Sequence, residues 1–84
     1  MIINLTSEQK KILIALKCKD DGKNADAFDS ALQGRIDIIH IDTLCGLINL
    51  EFMMEGIDEH FEPTQYGIEL ENLLDAINRP RLAG

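Results

Sequence analysis

Apolar residues recur at α-helical spacing in three segments of this chain, and each segment has a side chain near its start that can cap a helix. The last segment is the most regular, and one face of it consists of Tyr66, Leu70, Leu73, Leu74 and Ile77. Thr64 precedes this face as an N-cap candidate, while Thr6 and Gln9 have the spacing of a capping box. The pattern predicts an all-α fold, a small bundle of about four helices forming one acidic domain over residues 1–84.

The stretch between the first and last helices allows two interpretations. We expect a short helix over residues 25–33, followed by a long central third helix that ends near Gly56 and is either continuous or broken near Asp42. The sequence from residue 36 to residue 42 nearly alternates between apolar and polar, however, which also suits a strand. A strand pair near residues 36–41 or 47–54 would make the fold α+β, winged-helix-like with a short hairpin, and this is the alternative.

Three further expectations concern the carboxyl half of the chain. The trio Phe52, Met53 and Met54 is expected to supply core residues plus one exposed side chain, and the alternative is an adaptable binding surface. Residues 57–63 are predicted to form a loop with Phe61 turned inward. The last helix is predicted to stop at residues 78–80, because the residue before a proline is disfavoured in helical backbone.

The charges of the chain are segregated, although its formal net charge is only −7. No lysine or arginine lies between Arg35 and Arg79, and six of the eight basic residues lie at or before Arg35. The same interval contains ten carboxylates, which are Asp37, Asp42, Glu51, Glu55, Asp58, Glu59, Glu62, Glu69, Glu71 and Asp75. Such a field repels phosphate backbones and anionic lipid and attracts basic surfaces.

Residues 61–74 read Phe-Glu-Pro-Thr-Gln-Tyr-Gly-Ile-Glu-Leu-Glu-Asn-Leu-Leu. This segment resembles the passage from the wing into the last helix of winged-helix regulators, in which an aromatic, a threonine, a glycine and spaced leucines recur. Residues 5–13 resemble the first helix of the same regulators. A recognition helix and a wing need lysine and arginine to bind phosphates, however, and residues 36–62 contain neither. We therefore expect a winged-helix-like shape at most, with no direct binding of nucleic acid.

The sequence contains none of the motifs that we would associate with catalysis. It lacks a nucleophile elbow, a Cys–His pair at an established spacing and a glycine-rich phosphate loop. His40 and His60 lie near acidic residues, but these groups match neither zinc spacing nor a calcium loop. We therefore predict a protein that is not an enzyme and uses no cofactor and no metal.

The cysteine content and the apolar runs bear on the location of the protein. Cys18 and Cys45 are interpreted as two buried thiols, because a secreted domain of this size would usually carry several disulfide bridges. No apolar run approaches the ~20 residues that span a bilayer, and the amino end does not resemble a signal peptide. We expect a cytoplasmic protein with no membrane partner.

The favoured function is a non-enzymatic acidic interaction protein, an inhibitor or immunity-type binder that blocks a basic site on a toxin, nuclease or nucleic-acid-binding protein. The alternative is a homodimeric, winged-helix-like regulatory or structural domain that contacts proteins rather than DNA. Aromatic residues are favoured at interface hot spots, so they join the acidic candidates. The candidate partner-binding residues are Glu51, Glu55, Asp58, Glu59, Phe61, Glu62, Tyr66, Glu69 and Glu71.

Overall fold

The computed structural model describes residues 1–83, with side chains described as far as Pro80. Within these residues the chain forms four helices, α1 (Ser7–Lys19), α2 (Ala25–Leu32), α3 (Ile38–Glu55) and α4 (Gln65–Ala83). The prediction of a small all-α bundle with a long third helix is confirmed.

Side-chain caps fix the starts of the three longer helices. Thr6 Oγ1 accepts a hydrogen bond from the backbone N–H of Gln9 at 3.1 Å, and Gln9 Oε1 accepts one from the N–H of Thr6 at 2.9 Å, so the predicted capping box is present. Thr64 Oγ1 accepts from the N–H of Gly67 at 3.0 Å, as predicted for α4. The cap of α3 is Asp37, whose Oδ1 accepts from the N–H of His40 at 2.9 Å.

This cap explains why the alternating segment is helical. Because Asp37 satisfies a free N–H of the first turn, α3 begins at Ile38 and runs through Asp42 without a break. The alternative strands at residues 36–41 and 47–54 are therefore wrong. Extended pairing in residues 1–83 consists of two isolated antiparallel bridges, Ile2 with Arg35 and Ile57 with Pro63. The second bridge closes a short hairpin over residues 57–63, the segment that was predicted to be a loop, and this position lies outside both strand ranges of the winged-helix-like alternative.

The core lies between α3, α4 and the first two helices. Its largest fully buried side chains are Phe28, Leu13, Ile41, Leu44, Ile48, Leu70, Leu73 and Ile77. Two glycines allow the end of α3 to meet the start of α4, because a Cβ on Gly67 would collide with the carbonyl group of Gly56. This close approach places the 57–63 hairpin at the junction of the two helices.

α4 does not stop at residues 78–80, as the sequence predicted, but continues through Pro80 to Ala83. Proline lacks the N–H that would bond the carbonyl oxygen of Ala76, and its ring crowds that carbonyl. Because its fixed φ near −65° is a helical value, the last turns of α4 continue past Pro80 in spite of this cost. None of the helices within residues 1–83 is long and apolar enough to cross a membrane.

Several apolar side chains lie at the surface although the sequence predicted them inside. Met53 and Met54 are both exposed on α3, where the sequence predicted one exposed side chain, and Phe61 is exposed on the hairpin. Cys18 is exposed on α1, Cys45 is half-buried, and neither is in a disulfide bond. Each exposed residue lies on the side of its helix or loop that faces solvent. Apolar composition alone does not show which residues face the core.

Candidate protein-binding surface

The hairpin over residues 57–63 is organised by one carboxylate. Asp58 Oδ1 accepts hydrogen bonds from the backbone N–H groups of His60 at 2.8 Å and of Glu62 at 3.1 Å. The N–H of Asp58 also donates to the carbonyl oxygen of Glu62 at 2.9 Å. Asp58 therefore holds the turn in one conformation, which makes it a structural residue as well as one of the predicted binding acids.

Phe61 projects from the tip of this hairpin into solvent, with 87% of its surface exposed. Its φ of 62° lies in the left-handed region, which a bulky residue rarely adopts. The N–H of Phe61 donates to the carbonyl oxygen of Asp58 at 3.1 Å, so the turn that Asp58 organises also holds this strained backbone. The result is a large aromatic ring displayed outward on a hairpin where Glu59 and Glu62 are also exposed.

Glu51 occupies a different environment from the other predicted acids, because it is only 9% exposed. Its carboxylate accepts two hydrogen bonds from Lys19 Nζ, at 2.8 and 2.9 Å, and one from the Tyr66 hydroxyl at 2.7 Å. These bonds connect α3 with α1 and with α4. The Glu51 charge is therefore compensated inside the protein rather than presented to a partner.

The pKa values of this triad show how the three groups interact. Burial acts to raise the pKa of Glu51, but the hydrogen bonds from Lys19 and Tyr66 outweigh it and the net pKa is lowered. The hydrogen bond to Glu51 is the main cause of a raised pKa at Lys19. Burial first, and then the Glu51 carboxylate with the nearby charges of Glu55 and Glu69, raises the pKa of Tyr66. At neutral pH the triad therefore contains an ammonium, a carboxylate and a protonated phenol.

The nine predicted partner-binding residues thus fall into three groups. The first surrounds the hairpin and the helix junction, and comprises Glu55, Asp58, Glu59, Phe61, Glu62 and Glu69. Glu51 and Tyr66 form the second group and serve as a connection between helices. Glu71 alone forms the third group. It is exposed on the opposite side of α4 from Glu69, beside a groove that also includes Phe52, and so it lies away from the hairpin.

Sequence reasoning missed Lys19 as a member of this region. Its partner Glu51 is 32 residues away along the chain, and no local spacing connects them. Lys19 places a positive side chain next to the acidic half of the protein. After Glu51, the Glu55 carboxylate also helps to raise the pKa of Lys19. The acidic surface therefore begins beyond Glu51, at Glu55 and the hairpin.

The surface depressions of the structure are open to solvent, and one of about 460 Å³ is lined by Ile14, Cys18 and Leu32. One of about 290 Å³ lies at the start of α2 and includes His40 and Thr43, and another of about 160 Å³ lies beside Lys19 and Glu51. Among the described side chains no three histidine, cysteine, aspartate or glutamate residues converge as ligands for a metal ion. Among these residues, the acidic hairpin with its exposed aromatic ring is the candidate site for binding a protein partner.

Comparison of the chain with models of protein families, with curated proteins and with solved structures finds no match to any of them.

Proposed function

We propose that the chain is a non-enzymatic acidic interaction protein that binds and blocks a basic site on a protein partner such as a toxin, a nuclease or a nucleic-acid-binding protein. The observation that carries this proposal is the 57–63 hairpin, which holds Phe61 outward and also exposes Glu59 and Glu62. The hairpin lies in the half of the chain that has no lysine or arginine. A cytoplasmic location is part of this proposal, because a secreted domain of this size would usually contain more than two cysteines.

The two kinds of side chain at the hairpin would contribute to binding in different ways. Exposed carboxylates increase the rate at which a basic partner associates, because opposite charges steer the encounter. A desolvated aromatic ring contributes mainly to the lifetime of a complex, because aromatic anchors in partner pockets dominate interface energies. The turn is already ordered by Asp58, so binding requires little further ordering of the loop.

The order of the elements favours the alternative function as well. The 57–63 hairpin lies between the third and fourth helices, as a wing before the last helix would, although one bridge closes it and it lies outside the strand ranges that the winged-helix-like alternative gave. In that case the chain would be a regulatory or structural domain that contacts proteins rather than DNA. Both proposals use the hairpin as a protein contact, and they differ in whether the partner is blocked or merely held.

The test begins with affinity capture of partners from the native host, using the wild-type chain and two charge-reversed variants. E59K/E62K changes both carboxylates beside Phe61, whereas D26K/D75K makes the same change of net charge on exposed helical positions away from the hairpin. Asp58 stays unchanged because it orders the turn. We expect E59K/E62K, but not D26K/D75K, to lose a basic partner. Equal capture by all three chains would contradict the proposal.

Phe61→Ala examines the aromatic contribution separately. With the captured partner in hand, we expect this variant to dissociate faster than wild type while its association rate is nearly unchanged, since no charge is altered. Surface plasmon resonance measures both rates. An unchanged dissociation rate would show that the ring is not part of the contact.

A further inference from the structure

The outward face of α3 is an apolar strip that the monomer leaves uncovered. Ile39 is 71% exposed, Leu50 54% and Met53 71%, although all three belong to a helix whose opposite face is core. With Thr43 and Gly46 between them, these residues follow alternating steps of four and three positions. We call the five residues the α3 seam. Such spacing is that of the contact line between two helices that pack along their length.

The two residues in the middle of the seam do not hinder the approach of a second helix. The Thr43 hydroxyl donates to the carbonyl oxygen of Ile39 at 3.1 Å, so its proton is already bonded within the helix. A Cβ on Gly46 would meet nothing within 4 Å, in contrast to the tightly packed Gly56 and Gly67. Glycine in the middle of a helix is less stable than alanine, and a second helix approaching closely at this position would give a reason for it.

We propose that the α3 seam binds the α3 seam of a second copy of this chain, with the two helices antiparallel and the two-fold axis at Gly46. The two ends of the seam are self-complementary about this position. In an antiparallel pair centred on Gly46, Ile39 faces Met53 of the second copy. Thr43 lies level with Asn49 and Leu50 level with Asp42, so Thr43 and Leu50 of the two copies pack one residue out of step. Every contact occurs twice, as a two-fold interface requires. The two glycines meet at the axis, where the helices are closest.

The absence of charge from the seam argues against a basic partner at this surface. None of the five seam residues is charged, so a basic protein would gain nothing there that it could not gain at the acidic hairpin. The two copies of Asp42 would be separated by roughly 12 Å along the helix axis, given a rise of about 1.5 Å per residue, so they do not face each other. Antiparallel helices also place opposite ends of their dipoles together.

The size of the apolar surface is consistent with a reversible dimer. Together with the neighbouring Met54, the exposed apolar residues of the seam present an area on the order of 500 Å² per chain, which is comparable to the largest apolar patches of monomers. A standard interface covers about 800 Å² per partner, so polar side chains along both edges of α3 would complete it. The hairpins lie beyond the carboxyl ends of the two helices and stay accessible at opposite ends of the dimer.

Sedimentation equilibrium over a wide concentration range tests the association. We expect wild type to reach twice its monomer mass and Leu50→Glu to stay monomeric, because the glutamate would be buried without a partner charge. Ile14→Glu is the matched control, since Ile14 is 51% exposed on α1. It should dimerise as wild type does. A wild-type chain that is monomeric up to millimolar concentration would overturn the proposal, as would loss of the dimer in the Ile14 variant alone.

Disulfide cross-linking tests the register and the direction of the helices, starting from a Cys18→Ser/Cys45→Ala background. Gly46→Cys should form a cross-linked dimer on mild oxidation, because position 46 meets itself at the axis. Ile39→Cys and Met53→Cys should each stay uncross-linked alone, but the double variant should cross-link. Efficient self-cross-linking of Ile39→Cys would indicate parallel helices and overturn the register. Circular dichroism of each variant verifies that the helices are retained.

Discussion

At the scale of single residues, Glu51 shows how a carboxylate in an acidic protein can be structural. It lies on the buried side of α3 and receives hydrogen bonds from Lys19 and Tyr66, so it connects three helices. Hydrogen bonds to a charged group typically contribute about 1.5–3 kcal/mol, and burying an acceptor without its donors costs a similar amount. Replacing Glu51 should therefore lower the stability of the fold more than replacing any of the other acidic residues.

Glu51→Gln should lower the free energy of unfolding at neutral pH by about 1 kcal/mol, because the amide loses the charge that Lys19 neutralises, while solvent around the half-exposed Lys19 screens that interaction. The pKa of Glu51 is lowered in the folded state, so its contribution is present above the unfolded pKa and is lost as the pH falls through the folded pKa. The difference between variant and wild type should therefore shrink in acid. Urea denaturation at neutral and acidic pH measures it. Glu55→Gln is the control, and an equal loss there would contradict this role.

At the scale of elements, local chemistry determined which predictions were confirmed. The helix starts at Thr6 and Thr64 follow from partners only three residues away, and such spacings can be read from a sequence. The Lys19–Glu51 pair could not be predicted, because it depends on where the tertiary fold places the end of α1 relative to α3. The outward orientation of Phe61 was missed for a related reason. Its direction is determined by backbone hydrogen bonds within the turn rather than by its apolar character.

The hairpin itself should depend on Asp58 more than on its other acids. Asp58→Ala removes the acceptor for the N–H groups of His60 and Glu62, so both amides should exchange with solvent faster. The change in the free energy of unfolding should be no more than about 1 kcal/mol, because the affected bonds are at the surface. Hydrogen exchange followed by NMR measures the protection. Glu59→Ala should leave it unchanged, and identical exchange in both variants would show that Asp58 does not organise the turn.

At the scale of the whole molecule, the junction between α3 and α4 supports both the core and the hairpin. The apolar stripe on α4 was predicted from its spacing, but the sequence could not show how deeply each of its residues is buried. Leu73 is fully buried, whereas Leu74 is only half-buried because it lies at the edge of the contact with α3. An apolar stripe gives the face of a helix, while the depth of each side chain depends on what the neighbouring helix covers.

Leu73→Ala should therefore destabilise the protein by about 2–5 kcal/mol, the range for a large side chain removed from a closed core. Leu74→Ala should cost clearly less, because solvent already reaches part of its site. For a domain of this size the first loss is a large share of the total stability. Chemical denaturation of both variants gives the comparison, with the monomeric Leu50→Glu chain as a common background. Equal losses would mean that the two positions are buried alike.

The overall charge of the molecule leads to opposite salt dependences for its two proposed contacts. Each chain has a formal net charge of −7, so two copies repel each other, and salt should strengthen their association by screening that repulsion. Binding of a basic partner at the hairpin depends on attraction, so salt should weaken it, mainly by slowing association. Sedimentation equilibrium of the chain alone and titration of the captured partner at the same two ionic strengths measure both effects. A partner whose affinity rises with salt would point to the apolar α3 seam instead of the acidic hairpin. A dimer that dissociates as salt rises would point to pairing between the lysines of one copy and the acids of the other.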